Sequence, residues 1–398
     1  MGRTPFVREI NRVIFTPRNA DVVGIYENPF STVDTTGLNR FRSSEVVGNK
    51  VIFTPWNANA VGIYDVVTEE FSKVNTKLGN NFVFNSSAVV GNKVIFTPEN
   101  ADDVGIYNVD SEEFSNVDTE LTGTVNKFSS SAVVGNKVIF TPWNAHDVGI
   151  YNVDSEEFSK VATGLDRTGK FSSSAVVGNK VIFTPDYVPD VGIYDVENNA
   201  FSTVDTKLTV ANKFRSIAVV GNKVIFTPFN ANDVGIYDVD SEEFSTVDTK
   251  LTDAQKFSSV AVVGKKVIFT PENANFVGIY NVENNAFSKV ATTELTVTSK
   301  FKSSAVVGNK VIFTPYNADA VGIYDVENNA FSTVTTTELG DNAKFISSAV
   351  VGNKVIFTPN DADAVGIYDV ENNAFSTVAT GLNGTSKFSS SAVVTLYV

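Results

Sequence analysis

The only histidine of the chain is followed directly by an aspartate, in the stretch KVIFTPWNAHDVGIY that places His146 before Asp147. Imidazole beside a carboxylate is a pair that serves in acid–base catalysis and in metal binding. A catalytic triad is recognised by its geometry rather than by sequence neighbourhood, and one histidine without cysteine does not supply the usual zinc ligands. We therefore expect His146 to be a surface residue, and we predict no catalytic residue, no metal site and no cofactor.

Three further patterns could carry chemistry. Residues 238–244 (DVDSEEF) begin like a calcium loop but lack its glycine and its frame, which favours a solvated turn. The sequons at Asn85 and Asn383 would matter only in a secreted protein. Paired carboxylates can hydrolyse glycosides, but no repeat copy differs from the others by a clear pair of acids. We expect no enzyme, with a carboxylate-based hydrolase as the alternative.

The composition disfavours several classes of partner. The chain of 398 residues has no cysteine and a net charge of -14. Nucleic-acid binding depends mainly on lysine and arginine displacing counterions, so we expect no nucleic-acid partner. No apolar run approaches the roughly 20 residues that span a bilayer, and the first ten residues lack the apolar core of a signal peptide. We expect a soluble monomer without membrane contact, and the sequence does not indicate a compartment.

The stretch around the histidine belongs to a repeat that occurs nine times. The motif VIFTP begins at Val13, Val51, Val94, Val138, Val181, Val224, Val267, Val311 and Val355. After a first gap of 38 residues, every spacing is 43 or 44. Repeats of this length made of short strands are typical of β-propeller blades, and no stretch has the sustained apolar periodicity of a helix. The sequence therefore predicts an all-β propeller.

One copy of the repeat predicts four strands, at residues 128–134, 138–142, 148–151 and 158–161. Glycine, proline, asparagine and aspartate bound these runs, as they usually bound strands. Apolar residues occupy both faces of VIFTP, so we expect this second strand to be buried between neighbouring blades. We also expect Phe158 and its equivalents to be buried there.

The two ends of the chain predict how the ring closes. The first VIFTP copy follows FVREI, which is too charged for an inner strand, and the last inner-strand copy has no second strand after it. Pairing that C-terminal strand with the three N-terminal strands completes the ninth blade and removes an open sheet edge. We predict one domain over residues 1–398, a single nine-bladed β-propeller of four-stranded antiparallel blades. It has about 43 residues per blade, a lead-in at 1–12 and a closing strand at 388–394.

The repeat SSAVVGNKVIFTP followed by DVGIYDVENNAFSTV resembles the kelch repeat over nearly the whole chain, from Val13 to Val394. Two positions depart from kelch: its double glycine is Thr141-Pro142 here, and its tryptophan is Phe158. A YVTN-type propeller repeat is a second resemblance. Either resemblance implies a propeller, while kelch members include protein-binding modules as well as copper oxidases, whose histidine and cysteine chemistry this chain lacks. The fold therefore does not settle the function.

Antiparallel strands place the connections of each blade on two opposite faces. The uniform face carries the turn between strands one and two, which reads GNK in seven blades and GKK in one, and the turn between strands three and four, mostly DSEEF or ENNAF. The variable face carries the loops from strand two to three and from strand four to the next blade. Loops on a rigid scaffold are the usual place for recognition, so we expect the variable face to bind the ligand. The alternative is neutral drift at exposed positions.

The residue directly after the proline of VIFTP differs most between copies. The nine residues are Arg18, Trp56, Glu99, Trp143, Asp186, Phe229, Glu272, Tyr316 and Asn360. Our predicted ligand-binding residues on the variable face are Arg18, Trp56, Trp143, Tyr187, Phe229, Phe276 and Tyr316.

Aromatic side chains there could anchor a protein or stack on sugars, or fold over the rim of the next blade. The chemistry of the copies looks irregular, which favours one protein partner. We expect a non-catalytic binding or scaffold propeller. A multivalent carbohydrate-binding propeller and a repetitive or designed propeller without a specific ligand are the alternatives.

Overall fold

The computed structural model describes residues 9–79, 82–292, 295–336, 339 and 342–397. In these ranges the chain forms 36 strands, arranged as nine four-stranded antiparallel sheets, and no helix. The first strands of successive repeats lie side by side, while the fourth strands are far apart, so the first strands surround a central channel. The predicted nine-bladed β-propeller is confirmed.

Each blade takes one strand from each of four sets. The inner strands are β4 (Phe41–Val47), β8 (Phe84–Val90), β12 (Phe128–Val134), β16 (Phe171–Val177), β20 (Phe214–Val220), β24 (Phe257–Val263), β28 (Phe301–Val307), β32 (Phe345–Val351) and β36 (Phe388–Tyr397). The second strands are β1 (Glu9–Pro17), β5 (Lys50–Pro55), β9 (Lys93–Pro98), β13 (Lys137–Pro142), β17 (Lys180–Pro185), β21 (Lys223–Pro228), β25 (Lys266–Pro271), β29 (Lys310–Pro315) and β33 (Lys354–Pro359). The third strands are β2 (Val22–Tyr26), β6 (Ala60–Asp65), β10 (Asp103–Asn108), β14 (Asp147–Asn152), β18 (Asp190–Asp195), β22 (Asp233–Asp238), β26 (Phe276–Asn281), β30 (Ala320–Asp325) and β34 (Ala364–Asp369). The outer strands are β3 (Phe30–Asp34), β7 (Glu70–Asn75), β11 (Glu113–Asp118), β15 (Glu157–Ala162), β19 (Ala200–Asp205), β23 (Glu243–Asp248), β27 (Ala286–Ala291), β31 (Ala330–Thr335) and β35 (Ala374–Ala379).

The ring closes by pairing the two ends of the chain. Blade 1 has the strand order β3-β2-β1-β36, and blades 2 to 9 each use four consecutive strands, from β4–β7 to β32–β35. Val13 pairs with Val393, and the ladder continues to Glu9 opposite Tyr397. The predicted closure is confirmed. Both strands extend further than the predicted bounds, and residues 1–8 of the predicted lead-in lie outside the described residues.

The GNK turn begins with a glycine because the backbone there requires a positive φ. Gly135 has φ 58° and, with Asn136, links the paired residues Val134 and Lys137. A two-residue hairpin with glycine first matches the twist of the strands that it joins.

Phenylalanines of the first, second and outer strands of a blade pack over one glycine of the third strand. A Cβ on Gly149 would lie 2.8 Å from the Phe128 ring and 3.0 Å from the Phe158 ring, so a larger residue does not fit. Phe128 is fully buried, as is the second strand, which confirms that prediction. Phe158 is only half-buried, contrary to our expectation, because the outer strand exposes one face to solvent.

The threonine that departs from the kelch pattern links neighbouring blades. Thr141 is buried, and its Oγ1 bonds Ser130 of its own blade and Ser174 of the next blade, each at 2.9 Å. In blade 1, Thr16 bonds Ser390 of the closing strand and Ser44 of blade 2. These hydroxyl pairs connect inner strands across blade boundaries, where a glycine could make no such bond.

Both turn sequences of the uniform face contain a residue with positive φ, and its side chain makes a different contact in each. Glu156 of a DSEEF turn has φ 56°, and its carboxylate pairs with Lys93 of the preceding blade. Asn199 of an ENNAF turn has φ 49°, and its side chain accepts a hydrogen bond from Tyr194 of its own blade at 2.7 Å. The uniform face is therefore occupied with intramolecular contacts.

Candidate functional site at the mouth of the channel

Backbone hydrogen bonds join the two kinds of loop on the variable face. The amide of Lys127, in the loop that enters blade 4, donates to the carbonyl of Glu99 in blade 3 at 2.8 Å. The amide of Trp143 then donates to the carbonyl of Lys127 at 2.9 Å. The residue after each proline is thus held at a fixed place beside the inner strands, although it belongs to a loop.

Residues after the prolines of blades 3 to 6 converge at the channel mouth on the variable face. Together with inner-strand and loop side chains they surround a cavity of about 400 Å³, which we call the mouth cavity. Its size falls within the range of about 300–1,000 Å³ that is usual for ligand sites. Its lining residues are Arg42, Asn85, Glu99, Asn126, Phe128, Ser129, Trp143, Ser172, Asp186, Asn212, Phe214, Arg215 and Phe229.

Of the predicted ligand-binding residues, Trp143 and Phe229 line the mouth cavity. Tyr187 lies beside it, exposed, with its ring edge-on to Trp143 at 6.3 Å between centroids. Arg18 and Tyr316 hold the equivalent positions in blades 1 and 8, outside the cavity lining.

Phe276 does not belong to this group. It starts the third strand β26, pairs with Ala291 of the outer strand, and has the Lys289 ammonium 4.6 Å from its ring centre. Its place in the strand, not in the loop, separates it from the other predicted residues.

Trp56 does not line the cavity itself but contacts two residues that do, Glu99 and Arg42. Its indole nitrogen donates to Glu99 Oε2 at 3.0 Å, and the Arg42 guanidinium lies 5.2 Å from the centre of its ring. Burial raises the pKa of Glu99, while Arg42 and the bond from Trp56 oppose that shift. The three side chains form one group of cation, aromatic ring and acid.

Blade 8 also has a cation, an aromatic ring and an acid, but here the acid comes from the preceding blade and pairs with the cation. The Lys302 ammonium lies 4.9 Å from the centre of the Tyr316 ring and pairs with Glu272 of blade 7 at 2.8 Å. Glu272 is buried, so the ion pair compensates its charge where water does not.

Blade 6 presents the same group without the ion pair. The Arg215 guanidinium lies 5.1 Å from the centre of the Phe229 ring, and the nearest acid position is Asp186 of blade 5. No described residue forms an ion pair with Asp186. Burial raises the pKa of Asp186 to about 6, and the charges of Arg215 and Lys213 offset only part of that shift.

The ring of residues after the prolines has an order that the sequence analysis missed. Even-numbered blades carry Trp56, Trp143, Phe229 and Tyr316, and odd-numbered blades carry arginine, acids or asparagine. The second inner-strand position was missed entirely: it holds Arg42, Arg215 and Lys302 in blades 2, 6 and 8, and serine in most others. Comparing that position between copies is the signal that could have found these cations.

A second missed set consists of lysines that precede the inner-strand phenylalanines. All are buried on the variable face: Lys127, Lys170, Lys213, Lys256, Lys300, Lys344 and Lys387. Lys127 donates to Asn100 O at 3.2 Å and pairs with Asp102 at 3.0 Å. Their aliphatic stems and ammonium groups tie each loop to the preceding blade.

His146 occupies the position that Asp102 holds in blade 3. Its side chain is 68% exposed, as expected for a surface residue, and its nearest acid is Asp166 at 3.9 Å. In blade 3, Asp102 pairs with the buried Lys127 from this position. Lys170 is the equivalent lysine facing His146, so it has no carboxylate partner at this position. Burial lowers the pKa of Lys170 to about 8, and Asp147 and Asp166 oppose the shift. The variation at this position therefore changes the electrostatics of a buried lysine.

The described part of the chain contains neither a candidate metal site nor a membrane-spanning helix. No group of three or more histidine, cysteine, aspartate or glutamate residues there could hold a metal ion. No helix in the same ranges is long and apolar enough to cross a membrane.

Three solved structures illustrate what this fold is similar to. Virginiamycin B lyase from Staphylococcus aureus is 15% identical, with a TM-score of 0.50 over 78% of this chain and 95% of the lyase chain. The dihydro-heme d1 dehydrogenase NirN is 11% identical, with a TM-score of 0.60 over 90% and 78%. BamB from Moraxella catarrhalis is 10% identical, with a TM-score of 0.57 over 86% and 95%. At such identities the similarity concerns the propeller fold alone.

No protein-family model and no curated protein matches the chain. The similarity to kelch repeats therefore stays a prediction from the repeat sequence.

Proposed function

We propose that this propeller is a non-catalytic binding module that recognises a protein partner at the mouth cavity and its rim. One observation carries the proposal: side chains of blades 2 to 6 that depart from the repeat, among them Arg42, Trp143 and Arg215, meet around one cavity. A cavity with four aromatic side chains and several convergent polar groups, as here, is the usual form of a recognition site.

Four of the five exposed large apolar side chains on the described variable-face loops lie on the same arc of the ring, and Val297 lies outside it. Phe82, Val125, Tyr187 and Val210 belong to variable-face loops of blades 2 to 6, and each is exposed. Phe82 packs on Trp56 at 4.6 Å between ring centroids, and Val125 precedes the cavity residue Asn126. Grouped exposed apolar side chains with a polar surrounding are typical of surfaces that bind proteins. This rim favours a protein over a small ligand alone.

The charges at the mouth support binding without catalysis. The mouth cavity has two acids, and each faces its own cations: Glu99 is close to Arg42, and Asp186 is under the charges of Arg215 and Lys213. Acid–base hydrolysis of glycosides needs two carboxylates across one bond. We propose on this ground that the chain is not a carboxylate-based hydrolase.

Carbohydrate binding is the second candidate. Three amide side chains, Asn85, Asn126 and Asn212, line the cavity together with the Trp143 ring. Amides that hydrogen-bond hydroxyl groups and an aromatic ring that packs on a sugar face would suit such a ligand.

A peptide library displayed on phage and a glycan array, both probed with the wild type and with Trp143→Ala, test the proposal. We expect peptides that bind the wild type and are lost with Trp143→Ala, because a buried aromatic anchor dominates recognition. The matched control is Lys180→Ala on the uniform face, whose ammonium pairs with Glu242. Ligands that are only sugars would favour the second candidate, and ligands lost only with the control would contradict the proposal.

A further inference from the structure

Blade 5 has two buried polar atoms at the mouth cavity without a hydrogen-bond partner among the described residues. They are Oδ1 of Asp186 and Oγ of Ser172, and both residues line the cavity. Asp186 is 5% exposed. Buried polar groups are nearly always hydrogen-bonded, so two such atoms in one blade at one cavity indicate a group that the protein itself does not supply.

Ser172 differs in this respect from its equivalents. Ser129 donates to the carbonyl of Phe171 at 2.8 Å, Ser258 to that of Phe301 at 3.0 Å, and Ser389 to that of Phe41 at 3.1 Å. The same bond to the next blade is not formed by Ser172, whose Oγ has no partner in the described part of the chain.

The cations near Asp186 act on its carboxylate through their charge, while their described close contacts are with other groups. The Lys213 ammonium donates to the carbonyls of Asp186 and Val188, at 3.2 and 2.8 Å. Arg215 lies over the Phe229 ring and is not within ion-pair distance of Asp186 among the described contacts. Glu272, at the same repeat position in blade 7, is equally buried but has Lys302 as its partner. Arg215 stands at the position of Lys302 and its charge opposes the rise in the pKa of Asp186, but the described contacts give Asp186 no direct ion pair of the kind that Glu272 has.

We propose that Asp186 and Ser172 bind a primary ammonium group of the ligand. An ammonium has three N–H donors on one compact centre, so it can donate to both oxygen atoms, whereas a guanidinium prefers both oxygens of one carboxylate. The overall charge of -14 favours the approach of a cationic ligand. This inference rests on the proposed function and names the chemical group that enters the cavity: a lysine side chain or a chain-terminal amine.

Calorimetric titration with n-butylamine hydrochloride, and with n-butanol as the uncharged control, tests the inference. We expect butylamine to bind and butanol not to bind. Asp186→Asn should weaken butylamine binding about tenfold or more, because a hydrogen bond to a charged group is lost. Asn360 is buried at the same repeat position in blade 9, so an asparagine fits the fold there. Ser172→Ala should weaken binding by a smaller factor and makes the test independent of the Asp186 variant.

The matched controls are Glu272→Gln and Ser258→Ala, which change the same positions in blade 7 and should leave butylamine binding unchanged. Affinity of the wild type should fall below pH 6, where Asp186 takes up a proton, and Asp186→Asn should lose this pH dependence. Equal binding of butanol and butylamine, or binding that is unaffected by both blade 5 variants, would overturn the inference.

Two peptides separate the possible sources of the amine. One has a blocked N-terminus and a single lysine, and the other has a free N-terminus and no lysine. Binding of either that depends on Asp186 supports the inference and identifies the source. A selected ligand that is lost with Trp143→Ala but indifferent to Asp186→Asn would refute the ammonium site and leave the proposed function standing. Amine binding at Asp186 without any protein ligand at the mouth would support the ammonium site and refute the proposed function.

Discussion

Burial sets the pKa of the Asp186 carboxylate, which follows the proline of blade 5. Asp186 keeps an oxygen without a partner, and its pKa rises to about 6 because the charged form is poorly solvated. At the same position Asn360 is buried without carrying charge. The residue type at this place therefore sets a cost in stability that an uncharged residue such as Asn360 does not carry.

Asp186→Asn should stabilise the free protein at neutral pH. The folded pKa lies above the unfolded value, so the folded state holds its proton longer, and stability is lost as pH rises from about 4 to 6. Above pH 6 the variant should be more stable by about 2–3 kcal/mol, since one pKa unit corresponds to about 1.4 kcal/mol. Urea unfolding of both proteins at pH 4 and pH 8 measures the difference, which should vanish at pH 4. A variant less stable than the wild type at pH 8 would contradict the account.

His146→Asp should supply the ion pair that Lys170 lacks. The folded pKa of Lys170 is lowered to about 8, so the wild type gains stability as pH rises from about 8 to 10.5, where the folded state has released the proton first. The aspartate should stabilise the protein by about 1 kcal/mol at pH 7 and reduce that gain. Asn59→Asp is the matched control, because Val83 stands there in place of the lysine. Equal effects of the two changes in unfolding experiments would refute this explanation.

The strands of each blade were predictable because three local signals agree. Short apolar runs, the GNK turn and the proline after VIFT place the four strands within one or two residues of their observed bounds in blade 4. The burial of single side chains was less predictable. Phe158 alternates with polar residues on the outermost strand, and the sequence does not show how much of that strand is exposed to solvent.

Phe128→Ala and Phe158→Ala should therefore differ. Phe128 is 1% exposed and packs on Phe140 at 5.4 Å between centroids, so its truncation should cost about 3–5 kcal/mol. Phe158 is half-buried, and its truncation should cost about 1–2 kcal/mol less. Denaturant unfolding of the two variants provides the comparison. A larger loss for Phe158 would mean that the outer strand contributes more to the core than its exposure indicates.

The candidate site was only partly predictable, because it depends on which repeat positions meet in space. The residues after the prolines were visible as the most variable position, and four of them line the cavity. Arg42 and Arg215 stand at an inner-strand position that differs between copies, but only the closed ring brings them to the mouth. Asp186 and Ser172 stand out only because contacts present in other blades are missing.

At the scale of the whole molecule, the nine blades depend on one noncovalent closure. β36 pairs with β1 from Phe388 to Tyr397, and Ser390 bonds Thr16 across that junction. Deleting residues 388–398 should leave the edge of β1 unpaired and cause association or aggregation. Light scattering and thermal unfolding of the truncated chain measure this effect. A truncated chain that stays monomeric with an unchanged melting temperature would contradict the closed topology.

The central claim is that one arc of the variable face, around the mouth cavity, binds the ligand. Its most direct test is the affinity of a selected peptide for three variants, measured by calorimetry. Trp143→Ala should cost about 2 kcal/mol or more in binding free energy, because its ring lines the cavity. Tyr316→Ala, at the same repeat position in blade 8, and Lys180→Ala, on the uniform face, should each cost about 0–1 kcal/mol. Binding that survives Trp143→Ala and is abolished by Lys180→Ala would place recognition on the opposite face and contradict the account.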